Sequence, residues 1–294
     1  MFDPVEFLLE HGLLRDRGVS AKPLAGGYLN EVYRVRGPAT DGPGIDWVVK
    51  RFMPETELAL FPNFPAAEAE ALKRAGAHGL APKPIGFFEG DRPVLVYEFC
   101  EGEAWRDGVG DVARLLRRLR DVDPDGFRHV PMSPTEILAE GDAFLAKIEP
   151  AARDRLGRVR PRPFGAEPVR RSFLHTDIGP GNIIVTRGGR LVVIDWQCPA
   201  AGDPVQDMIA FLSPAFQILY GCAPLDAQDE MDFHRAYDDA ATKERYDRLR
   251  PFYDWRMAGY CATRKLKYAV ARPEASQRYD RALNALLARL EGGA

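Results

Sequence analysis

Cysteine is scarce and never clustered. Only Cys100, Cys198, Cys222 and Cys261 occur, far apart and without a C-x-x-C pair. That excludes a zinc ribbon and argues against a disulfide framework, so the four read as buried free thiols in a reducing compartment. Long hydrophobic runs are also missing: no apolar stretch approaches the ~20 residues of a membrane span. The opening MFDPVEFLLEHGLL carries acids and lacks a basic segment, and is not expected to act as a signal peptide. Neither charge dominates, since 40 Lys and Arg face 43 Asp and Glu for a net charge of −3. That balance argues against nucleic acid or an anionic membrane as the main partner. Repeats are absent. What remains is a chain of 294 residues, 46% hydrophobic, long enough for one large or two smaller domains and a substantial core. A cytoplasmic protein is expected.

The chain changes character once. Asp3-Pro4-Val5-Glu6 is a helix start, with Asp at N-cap, Pro at N1 and Glu at N3. Residues 21–35 then read as strand, turn and strand, with Gly26-Gly27 in the turn. A third strand, 47–52, follows a Gly/Pro-rich loop. Residues 66–77, rich in Ala and Glu, form a helix ended by Gly79 and Pro82. Two more strands, 85–88 and 94–99, flank Gly90-Asp91. The pattern after Gly102 is helical: 112–120, 135–148, a short helix and loop over 153–171, then 204–219, 227–239, 246–270 and 274–290. Pro251 is expected to kink or split the third of the last four. The expected fold class is α+β. An N-terminal lobe, 1–100, holds a five-stranded antiparallel sheet with one inserted helix. A larger helical lobe, 101–294, carries a β-hairpin.

That hairpin lies in the stretch around which the chain is organised, FLHTDIGPGNIIVTRGGRLVVIDW, residues 173–196. Its β-branched runs, 183–185 and 191–194, flank Gly188-Gly189, a turn signal because glycine tolerates positive φ. Asp177 and Asn182 precede the first strand and Asp195 ends the second, so all three are expected to converge. Two carboxylates and an amide carbonyl are hard oxygen ligands, suited to Mg²⁺ that also takes phosphate oxygens from a nucleotide. Phosphoryl transfer needs such charge neutralisation and one carboxylate to deprotonate the attacking hydroxyl. Singly, Asp and Asn beside Gly and Pro are ordinary turn formers; together at this spacing they are hard to produce by chance. His175 reads as a buttress of the loop backbone.

H-x-D-x-x-x-x-N followed by a strand-terminal Asp resembles the catalytic loop and metal-binding Asp of the protein-kinase superfamily. The wording HTDIGPGN, then IDW, then GDPVQD, resembles the aminoglycoside phosphotransferase and choline kinase branch. The resemblance implies a bilobal kinase-like fold with ATP in its cleft. It implies Asp177 as the catalytic base, with Asn182 and Asp195 holding Mg²⁺. Lys50, inside the apolar strand WVVK, would reach the α- and β-phosphates, held by Glu68 of the following helix rather than Glu70. The backbone of Gly26, Gly27 and Tyr28 would cover the phosphates, although G-x-G-x-x-G is lacking. The Glu98 carbonyl and the Cys100 amide would take the adenine. Asp203 and Asp207 read as structural residues that fix the catalytic loop.

Protein kinases carry Arg before the catalytic Asp, where this chain has Thr176, and only 198–202 separate Trp196-Gln197 from the Asp203 cap. A peptide-binding activation segment has no room there, so the acceptor is expected to be a small molecule with a hydroxyl. The acids of 226–239 and the aromatics of 246–268 give a slight preference for a cationic acceptor, such as choline, ethanolamine or an aminoglycoside. A solvated acidic helix beside aromatic core residues explains the same pattern equally well. Two further readings compete: a nucleotide-binding pseudokinase scaffold, and a metal-dependent phosphohydrolase. Acceptor identity, ATP against GTP and oligomeric state are not legible.

Overall fold

Asp3 starts the first helix by accepting the N–H groups of Val5 at 2.9 Å and Glu6 at 3.2 Å, with Pro4 where no N–H is needed. The computed structural model describes residues 2–24, 30–38, 44–54, 60–165 and 167–292. The opening elements are α1 (Pro4–Glu10), β1 (Ser20–Pro23), β2 (Glu31–Gly37), β3 (Ile45–Arg51), α2 (Pro65–Ala77), β4 (Pro84–Phe88), β5 (Val94–Glu98) and β6 (Gly102–Ala104). Five of these strands form one antiparallel sheet in the order β1-β2-β3-β5-β4. Leu8 of α1 and Leu14 just after it pack with Val35, Val49, Val94 and Val96 of the sheet. Each such burial contributes about 1.5–3 kcal/mol. The buried face of α2 is Glu68, Ala71, Leu72 and Ala75, a helical spacing that includes one acid.

The remaining elements are α3 (Val109–Leu119), α4 (Pro134–Leu145), α5 (Pro150–Arg158), β7 (Ser172–Leu174), β8 (Ile183–Thr186), β9 (Leu191–Val193), β10 (Ala200–Gly202), α6 (Val205–Leu212), α7 (Pro214–Leu219), α8 (Ala227–Tyr237), α9 (Ala240–Tyr268) and α10 (Pro273–Gly292). A single 3₁₀ turn, Pro180–Asn182, precedes β8. The chain forms two compact units, Met1–Glu103 with Ile184–Cys198, and Ala104–Ile183 with Pro199–Ala294. The hairpin, expected within 101–294, therefore groups with the sheet unit. The cause is pairing: β6 adds to β8 and β9, and the Val193 N–H donates to the Leu80 carbonyl at 2.8 Å. Gly102 permits that approach, because a Cβ there would strike the Val185 backbone.

In the second unit α9 packs against α4, α10 and α6, and α3 against α8. Trp105 meets the Phe211 ring edge-on at 5.0 Å, and Phe211 stacks on Phe233 at 5.7 Å. Two helix expectations differ from the structure. Pro251 does not split its helix, since α9 runs unbroken through it. Leu249, Phe252, Tyr253 and Trp255 are buried on either side, while Asp247, whose carbonyl loses its donor, is exposed to water. The expected helix over 204–219 is two, α6 and α7. Ser213 before Pro214 is extended, and its hydroxyl accepts the Ala215 N–H at 3.3 Å. All four cysteines are free; Cys198 and Cys261 are buried, whereas Cys100 and Cys222 are only partly so. No helix among the described residues is long and apolar enough to cross a membrane.

Candidate active site

In the first unit a lysine is buried among carboxylates. Lys50 projects from β3 with only 2% of its surface exposed. Its ammonium donates to both Glu68 oxygens, at 2.9 and 2.7 Å, and to Asp195 Oδ1 at 2.6 Å. Glu70 is turned away and pairs with Arg74 at 2.6 Å, as two residues along a helix requires. Burial works against the Lys50 charge, but Asp195 and then Glu68 outweigh it and raise its pKa. Burial pushes the Glu68 carboxyl up to about 7, with Lys50 opposing. Asp195 has a φ of +60°, strained for a residue with a side chain. Its neighbour Trp196 is fully buried and donates to the Val193 carbonyl at 2.9 Å, pinning that turn.

The second unit holds the loop of Asp177. Buried Asp207, from α6, accepts the N–H of His175 through Oδ2 and that of Thr176 through Oδ1, both at 2.8 Å. Thr176, with φ +67°, sits in the left-handed region that a β-branched residue avoids, immediately before Asp177. The two bonds from Asp207 hold that strain in place. His175 is fully buried, and its Nδ1 accepts the Asp177 N–H at 3.3 Å, the buttress expected of it. The Asn182 amide donates to the Asp177 carbonyl at 2.9 Å and to the Tyr220 hydroxyl at 2.8 Å. Gly179 and Gly181 both abut the Tyr220 ring, where a Cβ would collide. Burial pushes the Asp207 carboxyl up to about 6, against the two N–H donors. Asp203 has a different duty. It accepts the Val205 N–H at 3.1 Å and pairs with Arg245 of α9.

The structure thus gathers Lys50, Glu68 and Asp195 in one unit, and Asp177 and Asn182 in the other. Gly26, Gly27 and Tyr28 lie outside the described residues. Glu98 ends β5; its N–H donates to the Lys83 carbonyl at 2.9 Å. Among the described residues, the Cys100 N–H makes no backbone hydrogen bond. Tyr220 was not singled out by sequence, and nothing local marks it: its role comes from where α7 ends.

Each unit by itself offers a hard oxygen of the kind Mg²⁺ takes. Both hydrogens of the Asn182 amide are committed, which fixes Oδ1 as the oxygen left to bind. In the first unit, Asp195 is a carboxylate whose side chain is 42% exposed. Among the described residues no three His, Cys, Asp or Glu side chains gather as a metal cage. Few protein oxygens, completed by water and phosphate, is the Mg²⁺ pattern.

The acids of 226–239 are occupied by the protein itself. Asp226 and Asp229 form a capping box on α8, and Asp232 pairs with Arg235 at 2.6 Å. Glu230 pairs with Arg250 at 3.4 Å, Asp238 with Arg117 at 3.5 Å, and Asp239 with Arg120 at 2.7 Å. Tyr246, Phe252, Tyr253, Trp255 and Tyr260 are buried. These contacts give the acids and most of the aromatics structural roles, the alternative weighed for them from the sequence; Tyr268 is only partly buried.

A model of the phosphotransferase enzyme family matches residues 20–252. The chain finds no match among curated protein sequences. Among solved structures it is similar to the choline kinase LicA from Streptococcus pneumoniae, 19% identical with a TM-score of 0.63, over 96% of this chain and 97% of that one. A choline/ethanolamine kinase family protein from Mesorhizobium loti is 16% identical with a TM-score of 0.62, over 92% of each chain. The macrolide 2'-phosphotransferase MphH from Brachybacterium faecium is 19% identical with a TM-score of 0.60, over 96% and 97%. At such identities the likeness to these structures is one of fold.

Proposed function

The chain belongs to the phosphotransferase enzyme family, a small-molecule kinase by family and fold, and we propose that it moves the γ-phosphate of ATP to a hydroxyl of a small molecule. The observation that carries this reading is Lys50. A fully buried ammonium held by two carboxylates is costly, and a strand has no structural need for one. Its worth lies in presenting a fixed positive charge to phosphate oxygens. Glu68 sets the ammonium's position, and Asp195 supplies its own carboxylate beside it. The Glu98 carbonyl and Cys100 N–H receive the adenine.

Asp177 accepts the proton of the acceptor hydroxyl while that oxygen bonds to the γ-phosphorus and the bond to the bridging oxygen of ADP breaks. His175, Thr176 and Asp207 keep the Asp177 backbone still during that transfer. Mg²⁺, when held by Asn182 and Asp195, supplies charge neutralisation at the phosphates. A cytoplasmic setting belongs to the same proposal and is supported by the four free cysteines.

The test is ADP release with MgATP or MgGTP across a panel of choline, ethanolamine, homoserine, thiamine, aminoglycosides, macrolides and sugars. Turnover of one class, reduced at least about 1000-fold by Asp177→Asn with unchanged melting, is expected. Phosphate release at enzymatic rates without any acceptor would instead make it a hydrolase. Tight ATP binding with no turnover would make it a scaffold.

A further inference from the structure

Among the described residues, Arg264 is a cation without an anion. It lies on α9 one turn after Tyr260, half-buried, and its Nε donates to the Tyr260 hydroxyl at 2.9 Å. Its guanidinium covers the Tyr260 ring at 5.0 Å. Among the described residues it forms no ion pair, and neither of its η nitrogens makes a hydrogen bond. Asp280, a carboxylate on the adjoining α10, is taken by Lys265 at 2.6 Å.

The surroundings are phenolic. Tyr260, Arg264 and Tyr268 follow at four-residue steps on one stripe of α9. Tyr279 of α10 stacks on Tyr268 at 5.7 Å and meets the edge of Tyr260 at 6.2 Å. Burial pushes the Tyr260 hydroxyl up to about 12, and the negative charge of Asp177 adds to that rise. Tyr260 is therefore neutral and within electrostatic reach of the proposed base. A half-buried guanidinium whose hydrogen-bond partner is a neutral hydroxyl keeps its η nitrogens open, and a ligand that brings a negative charge is their natural complement. With Nε already used, Nη1 and Nη2 remain as an end-on fork, which matches the two oxygens of a carboxylate.

We propose that the acceptor carries a carboxylate, gripped by the η nitrogens of Arg264 beside Tyr260, while its hydroxyl is presented to Asp177. This rests on the kinase reading and names the substrate class for it: small hydroxy acids and hydroxy amino acids, rather than cationic alcohols. In the transfer the acceptor oxygen gains the phosphoryl group, its proton goes to Asp177 and ADP departs. The carboxylate is unchanged.

The experiment measures ADP release from MgATP with matched pairs in which the carboxylate becomes a neutral amide: homoserine and homoserine amide, glycerate and glyceramide, pantothenate and pantothenamide. Choline and ethanolamine serve as cationic members. The carboxylated member of at least one pair is expected to exceed its neutral partner by about 10- to 100-fold in kcat/KM. Arg264→Leu should erase that ratio through the acceptor KM, and Arg264→Lys should restore part of it. Melting temperature monitors the fold of each variant. Preference for neutral or cationic members, no turnover of any carboxylated member, or an unchanged ratio in Arg264→Leu would overturn the inference. So would an Arg264→Leu variant altered only in its KM for ATP, which would assign the arginine to the nucleotide. Turnover of choline alone would overturn this inference and keep the kinase. A protein that turns over nothing and is not stabilised by MgATP would remove both.

Discussion

Two buried carboxyls make opposite uses of the same environment. Glu68 is pushed up to about 7 by burial even with Lys50 in contact. Without the ammonium it should rise further and take up a proton near neutral pH. Lys50→Met is therefore expected to fold, and its stability deficit should grow with pH. The sign follows from linkage: a carboxyl whose folded pKa lies above its unfolded value binds its proton more tightly when folded, so stability falls as pH rises between the two values. Urea denaturation of Lys50→Met and wild type from pH 6 to 9 should show the deficit widening; a constant deficit would mean that Glu68 is not the group that titrates. Asp207, raised to about 6, anchors two backbone N–H groups ahead of Asp177. As pH falls through about 6 it gains a proton and loses an acceptor, so kcat should decline. By the same linkage its own contribution to stability does not fall over that range. A rate profile with a limb near 6, not accompanied by a falling melting temperature, is the expected pair of results. In Asp207→Asn one backbone N–H would face the new amide N–H₂, at a cost of about 1–3 kcal/mol.

Elements carry the site only where their ends are fixed. The segment from β7 to β8 needs Gly179 and Gly181 because the Tyr220 ring, at the end of α7, fills the space beside them. Tyr220 in turn holds the Asn182 amide. Tyr220→Phe should cost about 1 kcal/mol of stability and weaken the Mg²⁺ dependence of turnover several-fold, because Oδ1 of Asn182 is then free to turn. An unchanged Mg²⁺ titration would show that the Asp177 carbonyl alone suffices. The sequence showed the glycines and the asparagine but not the tyrosine, which is contributed from far along the chain. The sheet, its inserted helix and the hairpin were legible because β-branched runs and Gly turns are local signals. Glu68 was legible through the family wording, and Glu70 was set aside by helical geometry alone. What was not legible depended on partners. The acids of 226–239 give only a slight preference in sequence, because their partners Arg117, Arg120, Arg235 and Arg250 are mostly contributed from other elements. Arg264 gave no local signal either, since its distinction is that it has no anionic partner among the described residues. Pro251 broke the helical pattern in sequence, but burial on both sides of it keeps α9 whole.

At the scale of the molecule the question is how an acidic protein would bind the polyanion proposed as its substrate. The chain has a net charge of −3. The cluster proposed to meet the phosphates sets one ammonium, Lys50, against two carboxylates, Glu68 and Asp195. That arrangement fixes the lysine but leaves no surplus positive charge to attract ATP. Steering by the overall field is equally unhelpful. Affinity for the nucleotide must then come with its cation, so ATP and Mg²⁺ should bind as a unit. Thermal melts distinguish the cases. ATP in excess EDTA is expected to leave the melting temperature nearly unchanged, whereas MgATP at about 100 times its Kd should add about 2.7 kcal/mol. For a chain of this size that is a rise on the order of 5 °C. Asp195→Asn removes one carboxylate from the cluster and one proposed metal ligand at once, and its two effects have opposite signs. Metal-free ATP should bind it better than it binds the wild type, and MgATP should bind it worse. If metal-free ATP stabilises the wild type as strongly as MgATP does, the phosphates are met by cations other than Lys50, and the cluster has another purpose.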